Sequence, residues 1–100
     1  MIRGTTPTHE FVLPFDTSMC AQIKIIYAQD DKVILEKTAS QCEMNGNNVS
    51  VKLSQEETFK FDCKKAVQIQ VRVLTLGNEA LTSSIKLVDV DKCLENEVLA

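Results

Sequence analysis

The chain holds one histidine, His9, and four cysteines, Cys20, Cys42, Cys63 and Cys93. These are its side chains best suited to act as nucleophile, base or soft metal ligand. A nucleophilic cysteine needs a base within hydrogen-bond reach and a third group to orient that base. Nothing in the spacing brings His9 to any one cysteine, and His9 reads as the first residue of an edge or outer strand. A zinc site usually draws its ligands in close pairs. Here the cysteines are widely and unevenly spaced, with no C-x-x-C. No export signal precedes them, which disfavours structural disulfides. The expectation is four free thiols, several packed as small apolar side chains.

Carboxylates offer acid–base chemistry. The candidates are Asp30-Asp31, Glu56-Glu57 and Asp89 with Asp91. Turns, a helix cap and a tail account for each. Asp30 and Asp31 would join Asn45, Asn47 and Asn48 in a loop binding site if the two loops met at one end of the fold. No calcium-loop pattern of alternating acids and glycine supports a metal there. Gly4, Gly46 and Gly77 are isolated, so no phosphate-cradling loop exists. No cofactor is implied. The net charge of −3 and the scattered lysines argue against nucleic-acid binding, which needs clustered cations. No stretch has the length of a membrane helix, and the N-terminus lacks the apolar run of a secretory signal.

The elements that must position these groups are strands. Val67 to Val73 alternates strictly, as does Ile23-Lys24-Ile25, and a period of two means one buried face and one wet face. His9–Leu13 reads as a first strand, ended by Pro14. Cys20–Ala28 is a second, with Ala21, Ile23, Ile25 and Tyr27 inward. Asp30-Asp31 turns the chain into Val33–Thr38. The stretch Thr38–Met44 continues that strand or forms a separate one. Asn45-Gly46-Asn47-Asn48 is the strongest turn cluster and leads into Val49–Leu53. Ser54-Gln55-Glu56-Glu57 reads as a capping box opening one helical turn, with Phe59 and Phe61 plugging the core beneath. Val67–Thr75 and Leu81–Val90 form the longest hairpin, around Gly77-Asn78.

The expectation is a single all-β domain over residues 1–100. It is a two-sheet, immunoglobulin-like sandwich of about seven antiparallel strands, with an arm (1–8) that is extended or loosely held and a tail (91–100). Composition agrees, at 44% hydrophobic and 25% charged. Apolar Leu74, Val88 and Val90 fall on the outward parity of the last hairpin. With Val98 and Leu99 of the tail, they are the candidate contact surface. A bulge that shifts the register is the other explanation.

The opening Met1-Ile2-Arg3-Gly4-Thr5-Thr6-Pro7-Thr8-His9, the Leu13-Pro14-Phe15-Asp16 corner, Ile25–Gln29 and Leu53–Thr58 resemble small uncharacterised proteins from prophages of gut Firmicutes. More distantly, the strand–cap–strand pattern is similar to the immunoglobulin-like N-terminal domain of phage upper-baseplate proteins. The resemblance implies a non-enzymatic structural or accessory protein, made in the bacterial cytoplasm and incorporated into the virion at the tail or baseplate. Its partners would be other phage structural proteins or further copies of itself. The reading from another class is a free binding module that recognises a host protein or carbohydrate through its loops.

Overall fold

A computed structural model describes all 100 residues. Its strands are β1 (Thr8–Val12), β2 (Cys20–Gln29), β3 (Lys32–Thr38), β4 (Cys42–Asn45), β5 (Asn48–Lys52), β6 (Val67–Thr75), β7 (Ala80–Thr82) and β8 (Lys86–Val88). They form two antiparallel sheets packed as a sandwich. The smaller has the order β1-β5-β4. The larger has the order β3-β2-β6, with β7 and β8 both pairing with β6.

The alternation in the sequence places the core. Ile23, Ile25 and Tyr27 of β2 and Val67, Ile69, Val71 and Val73 of β6 point inward from the larger sheet. Val49 and Val51 of β5 meet them, and Leu13, Leu53, Phe61 and Val90 close the cluster. The turn residues suit their backbones. Asp30 and Asp31 take φ of 49° and 62°, positive at both central positions of a two-residue hairpin as a type I′ turn requires. Gly46 takes φ 60° between β4 and β5, where glycine meets no steric penalty.

Two short helical segments carry the chain between sheets. A 3-10 turn at Ala39–Gln41 separates β3 from β4 and moves the chain to the smaller sheet. The helix α1 (Gln55–Thr58) moves it back, and its capping box is formed. The Glu57 N–H donates to Ser54 Oγ at 3.1 Å, and the Ser54 N–H donates to Glu57 Oε1 at 2.9 Å. Phe61 is buried beneath it, whereas Phe59 is only half-buried.

The structure corrects three expectations and decides between alternatives for the arm. The stretch from Leu81 to Val90 is not one strand. Arg72 pairs with Thr82, but Ile69 pairs with Lys86, so the register on β6 slips by one residue across Ser83–Ile85. Ser83 causes the break. Its hydroxyl accepts from the Val71 N–H and donates to the Ser84 carbonyl, while its own N–H bonds the Val71 carbonyl. A one-residue slip exchanges the faces of a strand. Val88 therefore sits opposite Val67 and is partly buried against the core, and Val90 is buried. Neither is an exposed contact.

Ala21 faces solvent rather than the core. The pairing with β6 skips it between Cys20 and Gln22, making it the extra residue of a bulge. Of the two readings of the arm, extended or loosely held, the second does not apply. Ile2 bridges to Asp91 in parallel, Arg3 N–H donates to the Asp91 carbonyl and Asp91 N–H to the Met1 carbonyl. Gly4 N–H donates to Thr58 Oγ, and Leu53 N–H donates to the Pro7 carbonyl. Finally, the Asp30-Asp31 turn and the Asn45–Asn48 turn lie at opposite ends. Asp31 is bonded to Gln68, beside the C-terminal end of β2. Thr17 donates to the Gly46 carbonyl, just ahead of the N-terminal end of β2. Ten residues of strand separate them, roughly 30 Å.

Candidate functional site

The two sides of the sandwich differ. On one side the chain itself crosses between sheets, from β3 to β4. On the other, β1 of the smaller sheet faces the short, interrupted β7 and β8 of the larger. A cleft of about 510 Å³ opens there. Its walls are Phe11, Leu13 and Phe15 on one side and Val71, Val73 and Leu81 on the other, with Glu10 and Lys86 also at its lining.

The edge of β1 along this cleft has unused hydrogen-bonding capacity. In an antiparallel pair, residues alternate between bonding the partner strand and turning their N–H and C=O the other way. The Leu13 N–H bonds Asn47, and the Leu53 N–H bonds Pro7. The odd-numbered residues therefore bond β5. Thr8, Glu10 and Val12 turn their backbone groups toward the open edge. The side chain of Val12 is 75% exposed and Leu81 across the cleft is 42% exposed. An unpaired backbone row beside an apolar trough has the shape to take one more strand.

A polar layer runs through the interior behind this edge. His9 of β1 reaches across to Tyr27 of β2, with Nδ1 and the phenol oxygen 2.8 Å apart. Burial, then the negative potential of Cys42 and Glu57, push the phenol well up, so it keeps its proton, and the tautomer of the His9 ring sets which of the two groups donates. Burial, then the N-terminal ammonium and Lys86, hold the His9 imidazole below its ordinary value. On the other side, buried Lys37 forms an ion pair with Glu57. Burial alone would raise the Glu57 carboxyl, but Lys37 and the Ser54 N–H and hydroxyl outweigh it, and the net shift is downward.

His9 and Cys42 both pair with Val51, from either side of β5. They are two strands apart, roughly 10 Å, and the Cys42 thiol donates to the Thr38 carbonyl instead. Burial pushes the thiols of Cys20 and Cys42 up, opposite to the activation a nucleophile needs. All four cysteines are free and half-buried.

Of the residues singled out from sequence, Leu74 lies on the outer face of β6, half-buried between Gln22 and Ala80. Val98 and Leu99 are exposed in the tail, and the Leu99 backbone is clasped by the Gln55 side chain at 2.8 and 3.1 Å. Asp30 is bonded to Lys65 at 2.8 Å. Asn45, Asn47 and Asn48 are exposed at the far turn. None of these lines the cleft. Sequence reasoning missed Phe11, Leu13 and Phe15 as site residues because their parity marks them as core. Leu13 is in fact buried and Phe11 and Phe15 are half-buried; what opens the cleft beside them is the absence of a full-length strand opposite, a property of the Ser83 break. No helix of the chain is long and apolar enough to cross a membrane. The chain matches no protein-family model, no curated protein and no solved structure.

Proposed function

We propose that this chain is a non-enzymatic docking module that accepts an extended strand of a partner protein along β1, and that its setting is the assembly of a phage particle. The observation that carries the docking role is the unpaired backbone row of Thr8, Glu10 and Val12 along an apolar cleft. Main-chain bonds to such an edge supply affinity, and pockets for alternate side chains supply selectivity. The phage setting rests on the sequence resemblance.

The occupant is a different protein rather than a second copy. A two-fold pairing of β1 with itself, centred on the strand, sets Glu10 opposite Glu10, and like charges directly opposite are unfavourable. A partner strand with a basic residue at that position and apolar residues on its inner face complements Glu10, Phe11 and Leu81. Recognition through loops gathered at one end has less support, because the two candidate loops lie at opposite ends.

The test is to induce the lysogen, purify particles and quantify the chain by mass spectrometry, for the wild type and for Val12→Pro. Proline removes only the N–H that faces the open edge, a position where strands tolerate it. Wild-type chain present in stoichiometric amount, and a folded Val12→Pro chain left in the lysate, is the expected result. Absence of the wild type from particles overturns the phage setting. Wild-type levels of Val12→Pro in particles overturn docking through β1. Leu74→Lys, on the outer face of β6, should leave incorporation unchanged.

A further inference from the structure

We infer that Asn45 is a site of spontaneous backbone modification, by succinimide formation with Gly46, and that the β4–β5 turn thereby changes with the age of the protein. The chain has five asparagines, Asn45, Asn47, Asn48, Asn78 and Asn96, and only Asn45 precedes a glycine. A glycine nitrogen is the least hindered backbone nucleophile, because no Cβ stands beside it.

The local structure leaves the reacting groups free. Asn45 and Gly46 are both exposed, and the Asn45 side chain makes no hydrogen bond within the protein. The Gly46 N–H likewise has no partner, although its carbonyl has two. The other sites differ. The nitrogen that follows Asn78 is engaged, since the Glu79 N–H donates to Thr75 Oγ1 at 3.0 Å. Asn48 precedes β-branched Val49 within β5, and Asn47 and Asn96 precede residues with side chains.

In the reaction, solvent base removes the Gly46 amide proton and the nitrogen attacks Asn45 Cγ. The new C–N bond closes a five-membered imide, and the amide nitrogen leaves as ammonia. Water then adds to one of the two imide carbonyls. Opening at Cγ gives aspartate. Opening at the backbone carbonyl gives isoaspartate, with the chain rerouted through the side chain and one methylene longer. No oxidant or reductant is needed, and each product carries one more negative charge.

The turn is well placed to transmit this change. The Gly46 carbonyl accepts from the Thr17 N–H and from Thr17 Oγ1, both at 2.8 Å, and the Asn47 carbonyl accepts from the Leu13 N–H at 2.8 Å. Lengthening the backbone at 45–46 shifts these acceptors, and with them Leu13 at the wall of the cleft.

The test is to incubate the intact chain at mildly alkaline pH and map its peptides by mass spectrometry with fragmentation that separates aspartate from isoaspartate. The expected result is conversion at Asn45 to both products, faster than at each of the other four asparagines and abolished in Asn45→Gln. Equal or slower conversion at Asn45 than at the others overturns the assignment. Amide exchange on the same samples should quicken at Leu13 and Thr17 in the isoaspartate fraction and stay unchanged in Asn45→Asp, which adds the charge without the methylene. Unchanged exchange in the isoaspartate fraction overturns the coupling to the cleft.

Discussion

Thr58 is fully buried, and its hydroxyl holds the N-terminal arm to the end of α1. It accepts from the Gly4 N–H at 2.9 Å and has a single proton to give to the Thr5 carbonyl at 3.0 Å or the Gln55 carbonyl at 3.1 Å. Thr58→Val keeps the shape and removes the hydroxyl, so no cavity term enters. The donated bond is worth about 1 kcal/mol net, and leaving the Gly4 N–H without its acceptor costs roughly 1–3 kcal/mol more. Thr58→Val should therefore lose about 2–4 kcal/mol, a large share of the roughly 5–15 kcal/mol by which domains are stable. Urea unfolding followed by circular dichroism reads the midpoint. Amide exchange should show Gly4 opening first. Thr58→Ser, which keeps the hydroxyl, should recover most of the loss. A Thr58→Val midpoint within about 0.5 kcal/mol of wild type, with Gly4 still protected, would refute the tethering role.

Three further predictions concern other parts of the frame. In Gly4→Ala, the new Cβ would stand 2.6 Å from Phe59 Cζ at a φ of +81°, so the Phe59 ring or the arm must shift and the backbone is strained; a loss of about 1–3 kcal/mol in urea midpoint is expected. Gln29 is 5% exposed and bonds the loop after α1 three times, from Nε2 to the Asp62 and Lys65 carbonyls and from the Asp62 N–H to Oε1. Gln29→Leu should cost about 3–5 kcal/mol, summed over the groups left unpaired, and lower the thermal midpoint clearly. The His9 imidazole is held below its unfolded value of 6.5, so the unfolded chain takes up the proton first. His9 therefore contributes stability that is complete above the unfolded value and lost as pH falls through it toward the depressed folded value. Denaturant midpoints at about pH 7.5 and pH 5.5 should differ in wild type, and the difference should shrink in His9→Gln; an equal slope in both would remove His9 from the account.

The local pattern revealed most of the strands and the ends that join them. Alternation in Ile23–Tyr27 and Val67–Val73 marks the core faces, and Asp30-Asp31, Asn45-Gly46 and Ser54–Glu57 mark turns and a cap because their side chains satisfy or relax the backbone locally. What local pattern does not carry is the joining of distant segments. Ser83 looks like any polar strand residue, yet its hydroxyl takes a place in the ladder and reverses the faces of everything after it. His9 and Tyr27 meet only through the stacking of two sheets. The cleft is invisible for the same reason, since it is made by a strand that is not there. The Asp30-Asp31 and Asn45–Asn48 loops are held apart by the direction of β2, which no single loop encodes.

The strand order also bears on how the chain reaches its native state. The two hairpins β2–β3 and β4–β5 close through two-residue turns, so they form from neighbouring residues. The centre of the larger sheet does not. Lys24 of β2 pairs with Arg72 of β6, and β1 pairs with β5, so each closes a long loop. Loop closure of this kind slows folding, because the chain entropy is lost before the contacts that reward it exist. Until β6 docks, β2 has a bare backbone edge beside the apolar face formed by Ile23, Ile25 and Tyr27. The interval before that pairing is when the nascent chain is most exposed to pairing with the wrong neighbour. The chain should accordingly refold on the slow, millisecond-to-second scale of β topologies, with recovery that falls as protein concentration rises.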